Sequence, residues 1–127
     1  MRIEFYFQKI QKTIELCPIS RMTHITVEKR SSHTGLIIAE VTFLDESVLQ
    51  IREFIDVESS EDRLMYAFHY MNASKEIIFR YDNTGHHKKL NLSTYPHHKH
   101  DGSEDNVIAA FPAELASVLE EIERVVL

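Results

Sequence analysis

The feature that most constrains the fold is a hydrophobic alternation with a period of two residues, which recurs between positions 23 and 82. Successive side chains of a β-strand point to opposite faces, so this alternation predicts strands with one buried face. The predicted strands lie near 23–28 and at 36–44, 48–57, 63–71 and 76–82. Only short segments separate them, whereas a parallel return needs a crossover of about a dozen residues or more. The strands should therefore pair as an antiparallel meander.

Helical patterns flank the strands on both sides. Apolar residues recur at helical spacing over 3–16, at Ile3, Phe7, Ile10 and Ile14. Cys17-Pro18 should end this helix, because the residue before a proline disfavours helical geometry. A second helix is predicted from Leu115, Leu119, Ile122 and Val126, with Pro112 in its first turn. We expect an α+β fold, a twisted antiparallel meander of about five strands with both helices on one face, as a single domain over residues 1–127.

Composition favours a cytoplasmic protein. Cys17 is the single cysteine, so no intrachain disulfide framework is available and a reducing compartment is expected. The amino-terminal residues form a charged helical pattern rather than the apolar segment of a leader peptide. No apolar run approaches the ~18–20 residues that a membrane-spanning helix needs.

Charge is distributed unevenly along the chain. The net charge is −6, and residues 101–127, with seven acidic residues and one arginine, account for all of it. Residues 80–100 carry four Lys or Arg and one Asp, so this segment is basic although the whole chain is acidic. Because local fields decide whether a polyanion binds, the overall acidity does not exclude RNA as a partner.

Histidines are concentrated in the same basic segment. Five of the eight lie within fifteen residues, at His86, His87, His97, His98 and His100. The region 83–106 has no sustained periodicity, and a long loop in a small domain is often functional. Arg80 and Asp82 lie on the face of their strand opposite the apolar residues. Residues 80–100 are therefore the predicted functional site.

Glu53 is a second candidate, because it interrupts the apolar face of the strand predicted at 48–57. A carboxylate among aliphatic side chains costs free energy unless it is paired or hydrogen-bonded. Glu53 could pair with an arginine for packing alone, or it could orient Arg80 or a histidine and tune its pKa.

Three roles remain open for the histidine-rich segment. Histidine titrates near neutrality, so a pair can act as acid and base in cleavage of an RNA phosphodiester, with cations stabilising the charge on phosphorus. Imidazole also binds zinc, copper and nickel, although no fixed ligand spacing or cysteine partner is present. In the third role the segment is a polar loop that only hydrogen-bonds locally or binds phosphate passively.

Two motifs in this segment resemble the TumE-like family of toxin–antitoxin proteins. They are Phe79-Arg80-Tyr81-Asp82-Asn83 and Pro96-His97-His98-Lys99-His100, and the likeness extends over roughly residues 48–124. The resemblance implies a toxin of a type II pair, neutralised by a helix-turn-helix antitoxin. The family motif maps onto Arg80, Asp82, Asn83, His86, His97, His98, Lys99 and His100.

The leading hypothesis is a toxin that acts as a metal-independent endoribonuclease without a cofactor. Arg80 and Lys99 would bind phosphate, two of His97, His98 and His100 would act as acid and base, and Glu53 or Asp82 would orient a histidine. Asn83 and His86 would contact the substrate. The alternative is a non-enzymatic binding module whose His/Lys loop holds a metal, a phosphate-bearing ligand or a protein partner. Exposed edge strands of the meander could also pair in a homodimer.

Overall fold

The structure, a computed structural model, describes all residues from 1 to 127 and contains two α-helices and seven strands. The helices are α1 (Ile3–Glu15) and α2 (Leu115–Val126). The strands are β1 (Ser20–Lys29), β2 (Thr34–Phe43), β3 (Val48–Asp56), β4 (Asp62–Met71), β5 (Ile77–Asp82), β6 (His98–Asp101) and β7 (Val107–Ala109). A short 3₁₀ helix (Gly85–Leu90) lies between β5 and β6. No helix has the length and apolar character needed to cross a membrane.

All seven strands form one sheet in sequence order, and each pairs antiparallel with the next. The α+β meander is thus confirmed, but the expected number of five strands is wrong. The two additional strands lie at the end of the sheet and include part of the segment expected to be irregular. Strand β6 is His-Lys-His-Asp, and it shows no apolar alternation because both of its faces carry charged or polar side chains.

Both helices pack on one face of the sheet, as expected. The core combines the apolar stripes of α1 and α2 with the inward residues of β2 to β5. At Gly35 the backbone of β2 lies so close to α1 that an added Cβ would be 2.5 Å from the Phe7 ring and 2.9 Å from Ile3. This close approach explains why the position carries no side chain. Helix α2 begins at Leu115 rather than at Pro112, because Glu114 is still extended (φ −106°, ψ 145°).

The other face of the sheet is not covered by a helix. It forms an open groove of about 610 Å³ that crosses strands β1 to β5 and reaches the start of the 3₁₀ helix. The polar residues that line the groove are His24, Thr26, Glu40, Gln50, Arg52, His69, Arg80, Asp82, Thr84 and His86. The sheet therefore separates an apolar, helix-covered side from a polar, open side.

Candidate functional site

The most unusual feature of the open side is a buried polar cluster where β5 meets β6. Arg80 lies opposite His100 in the antiparallel register, and Asp82 lies opposite His98. The Asp82, His98 and His100 side chains are almost fully buried, with relative exposures of 1%, 1% and 2%. Buried polar groups are costly unless they are paired, so the contacts within this cluster decide whether it is stable.

Asp82 is the common acceptor of the cluster. Its Oδ1 accepts hydrogen bonds from the backbone N–H and the hydroxyl of Thr84, both at 3.0 Å. Its Oδ2 accepts one from Arg80 Nε at 3.0 Å. Burial raises the pKa of the Asp82 carboxyl, but the hydrogen bonds from Thr84 and the neighbouring His98 and Arg80 outweigh it and lower that pKa below its ordinary value. Asp82 is therefore held as a carboxylate.

The two buried histidines are oriented by backbone carbonyls. His98 Nδ1 lies 2.8 Å from the carbonyl oxygen of Pro96, and His100 Nδ1 lies 2.8 Å from that of Glu104. A carbonyl oxygen can only accept, so both Nδ1 atoms carry the proton and donate. Both Nε2 atoms consequently point inward, His98 Nε2 at 2.9 Å and His100 Nε2 at 3.7 Å from Asp82. Arg80 Nη2 lies 3.2 Å from His100 Nε2.

A third imidazole, His87 of the 3₁₀ helix, completes the cluster. Its ring centroid is 4.7 Å from that of His98 and 5.3 Å from that of His100, with interplanar angles of 73° and 72°. One nitrogen from each of the three rings lies within 4.8 Å of the others. The three rings thus converge on one point at the end of the groove.

The groove itself combines cationic and titratable side chains. Arg80 belongs to both regions, because it lines the groove and contacts Asp82 in the cluster. His69 lies directly opposite Arg80 in the β4–β5 register. Burial, and then the positive charge of Arg80, lower the pKa of His69 below its ordinary value. His69 is consequently a neutral imidazole at pH 7 and can accept a proton.

The structure places His97 and Lys99 on the helix-covered side, away from the cluster. Lys99 Nζ donates to Glu121 of α2 at 2.9 Å and lies over the Phe79 and Tyr81 rings. His97 stacks on Tyr66, and its Nδ1 lies 2.9 Å from the Tyr66 hydroxyl. These contacts attach the β6 region to α2 and the core. The catalytic roles that the sequence suggested for His97 and Lys99 stay predictions.

Glu53 also lies on the helix-covered side, so the expected contact with Arg80 or a histidine is wrong. Its carboxylate accepts a hydrogen bond from the Tyr6 hydroxyl of α1 and lies 4.0 Å from Arg63 Nη1. Burial raises the pKa of Glu53, and the opposing effects of Tyr6 and Arg63 do not fully cancel the increase. Glu53 therefore links α1 to the sheet, as the packing alternative anticipated.

We expect the raised pKa of Glu53 to make Glu53→Gln relatively more stabilising as pH rises. A carboxyl whose pKa is raised in the folded state favours folding below its unfolded pKa of about 4.3, and this contribution is lost as pH rises through the folded pKa. Glutamine stays neutral and can still accept from Tyr6. The difference in unfolding free energy between variant and wild type, measured in urea, should therefore move in favour of the variant between pH 4 and pH 8.

The exposed residue Glu58 offers a matched control, and Glu58→Gln should show no comparable pH trend. A flat or opposite trend for Glu53→Gln would contradict the assignment of Glu53 as a buried carboxyl with a raised pKa. Activity assays on the same variant test its suggested catalytic role, because a purely structural Glu53 leaves the rate of the folded protein unchanged.

Of the two remaining residues of the family motif, Asn83 directly follows β5 and His86 lies in the 3₁₀ helix. Asn83 accepts the backbone N–H of Tyr66 at 3.0 Å through its side-chain oxygen, so it extends the pairing of β4 and β5 beyond the last ladder bond. His86 is exposed and lines the groove. His86 is thus accessible to a ligand, whereas the Asn83 contact holds the strand end.

Sequence reasoning missed two histidines. His87 is one of the five clustered histidines, but the sequence pattern gives it no role, and it does not single out His69. The short turn between β4 and β5 places His69 beside Arg80. That hairpin register was the available indication for His69. The position of His87 depends on the 3₁₀ helix, and no hydrophobic periodicity in the sequence predicts that helix.

The protein is thus a small α+β protein with a polar site on the open face of its sheet. Comparison with known protein families identifies the family to which it belongs. The family model described as Toxin TumE matches residues 10–126, which include every strand and α2. The chain belongs to the TumE toxin family. The resemblance is thereby confirmed over more of the chain than residues 48–124. No curated protein and no solved structure matches the chain.

Proposed function

We propose that this protein is a toxin that cleaves RNA in the groove on the open face of its sheet. The observation that carries the proposal is the position of Arg80, whose guanidinium is held by Asp82 at 3.0 Å and lines a groove of about 610 Å³. A preorganised guanidinium binds phosphate and stabilises charge that develops on it. Membership of a toxin family supports the same interpretation.

The groove offers further features that suit a single RNA strand. Arg52 also lines it, and Lys88 and Lys89 are exposed on the 3₁₀ helix whose His86 lines the groove. Ile38 and Met65 give the floor apolar surface against which a base can pack. Cationic side chains at the margin and apolar surface within the groove are the combination by which proteins bind single strands.

The reaction would be a transfer of the phosphoryl group within the RNA, from the 5′-oxygen of one nucleotide to the 2′-oxygen of the preceding one. His69 takes the proton of the 2′-hydroxyl, and the 2′-oxygen attacks phosphorus while Arg80 stabilises the charge on the non-bridging oxygens. The bond from phosphorus to the 5′-oxygen breaks, and His86 gives that oxygen a proton. The products are a 2′,3′-cyclic phosphate and a free 5′-hydroxyl. His98 and His100 act as positioning residues that hold Arg80 and Asp82.

Purified protein should cleave single-stranded RNA and leave fragments with these end groups, whereas its expression should stop bacterial growth. A DNA strand of the same sequence should stay intact, because it lacks the 2′-hydroxyl. Fragments are resolved on gels, and their ends are identified by enzymatic labelling. If expression stops growth but the protein leaves RNA intact, the cleavage proposal fails while the toxin class stands.

The proposal includes an antitoxin of the helix-turn-helix type as the protein partner. Helix α2 carries Glu120 and Glu123 away from the sheet, and a basic antitoxin surface could dock there. A neighbouring gene whose product co-purifies with this protein and restores growth would support this part. Cleavage, the antitoxin and any dimer are separate claims and are tested separately.

A further inference from the structure

We infer that His87, His98 and His100 form a binding site for one divalent transition metal ion of the zinc type, with Asp82 beside it. The ligand atoms of the three histidines lie within 4.8 Å of one another, and His98 and His100 are buried. Three imidazoles with a fourth position open to water are a donor set known for zinc. The inference does not depend on the proposed cleavage of RNA.

The strongest support is the orientation of His98. Its Nδ1 donates to the Pro96 carbonyl, so in a neutral ring Nε2 carries only a lone pair. This Nε2 is fully buried and makes no hydrogen bond of acceptable geometry, yet it lies 2.9 Å from an oxygen of Asp82. Two acceptors at this distance repel each other. A cation between them, or a second proton on the ring, removes the repulsion.

His100 is oriented in the same way, because its Nδ1 donates to the Glu104 carbonyl and leaves Nε2 3.7 Å from Asp82. This Nε2 accepts a hydrogen bond from Arg80 Nη2 at 3.2 Å, which a bound ion would replace. Metal-binding histidines usually donate their second ring nitrogen to a carbonyl or carboxylate, because that bond fixes the ring and its tautomer. Both buried histidines meet this condition before any ion is considered.

An ion would draw the three histidines closer together. Bonds of about 2.0–2.1 Å at tetrahedral angles separate ligand atoms by roughly 3.3 Å. The ligand nitrogens of the three histidines lie within 4.8 Å of one another, so the site must contract around the ion. His87 is on the 3₁₀ helix rather than in the sheet, so it is the ligand best able to move.

The position of the site relates it to the groove. Asp82 and Arg80 contact the cluster and also line the groove. An ion bound to the three histidines would therefore lie at the end of the groove and would fix the 3₁₀ helix against the sheet. We expect metal binding to raise the melting temperature, because an ion that binds only the folded state stabilises it.

The test measures metal binding directly. The full chain, freed of metal with a chelator, is titrated with Zn²⁺ by calorimetry and with Co²⁺ by visible absorption. We expect one ion per chain, the intense absorption of tetrahedral Co²⁺, and a higher melting temperature with Zn²⁺. His87→Ala should weaken binding by more than about tenfold, because even loss of a residue that only supports a ligand costs 10–100-fold. His86→Ala, one residue away and exposed, should bind as the wild type does.

Two results would overturn the inference. If the wild type binds neither ion, the three rings only pack edge to face. If His87→Ala binds as tightly as the wild type and His86→Ala, the ion is held elsewhere. His98→Gln is a second variant for the buried part of the site, and its melting curve shows whether it folds. None of these measurements uses RNA, so they stand apart from the outcome for cleavage.

Discussion

Replacing Arg80 with alanine is expected to reduce cleavage of RNA by about 10²–10³-fold, the usual cost of losing one preorganised donor to a reacting oxyanion. Arg80 is set by three contacts, with Asp82, His100 and Glu104. These contacts fix the guanidinium before the substrate arrives, so little reorganisation is needed during the reaction. The loss should therefore appear in kcat and not only in KM.

Arg80→Lys separates the roles of charge and shape. Lysine keeps the positive charge but cannot hold Asp82 and a phosphate together in the planar geometry of a guanidinium. We expect its rate to lie between those of the wild type and Arg80→Ala. Rates are measured on a fluorescently labelled RNA strand under single-turnover conditions, and a melting curve for each variant confirms that it is folded.

Arg21 provides a matched control for the loss of an arginine. It forms an exposed ion pair with Glu46 and does not line the groove. Arg21→Ala should therefore cleave at the wild-type rate. If Arg80→Ala is folded and cleaves as fast as Arg21→Ala, phosphate does not bind at this end of the groove. A rise in KM with unchanged kcat would mean that Arg80 binds the substrate and the transition state equally well and does not stabilise the transition state selectively.

Most of the fold could be predicted because burial imposes a pattern on the sequence. Strands β2 to β5 and both helices each have one apolar side facing the core, and a period of two or 3.6 follows directly from that geometry. Strand β6 has no such pattern. Its inner side carries Lys99, paired with Glu121, and its outer side carries His98 and His100, which lie beside Asp82. Specific polar pairing, which has no period, determined this strand.

Which candidate residues come together in the site also depends on whether residues 97–100 form a loop or a strand. His97 to His100 are adjacent in sequence, and a loop would allow all four side chains to converge. In a strand, neighbouring side chains point to opposite sides, so His98 and His100 reach Asp82 while Lys99 faces α2. The sequence singles out Glu53 because it interrupts an apolar face. That position predicts a buried partner but does not identify the partner. Its partners, Tyr6 and Arg63, come from distant parts of the chain.

Replacing Asp82 with alanine is expected to lower the free energy of unfolding by about 3–5 kcal/mol, the cost of breaking a buried charge pair by removing one partner. The carboxylate accepts from Arg80 and twice from Thr84, so alanine leaves these donors without their acceptor. Domains are stable by only about 5–15 kcal/mol, so this loss is a large fraction of the total stability. Urea unfolding is measured in the presence of a chelator, so that a bound ion does not contribute.

Two further variants identify the cause of that loss. Asp82→Asn keeps an oxygen that can accept from Thr84 but removes the charge that attracts Arg80, so its loss should be smaller than that of alanine. Asp101 is half exposed and lies 3.8 Å from Lys99, and exposed pairs contribute only about 0–1 kcal/mol. Asp101→Ala should therefore cost little. If Asp82→Ala costs no more than Asp101→Ala, the buried cluster does not hold β5 and β6 together, and the apolar core alone must place the histidines.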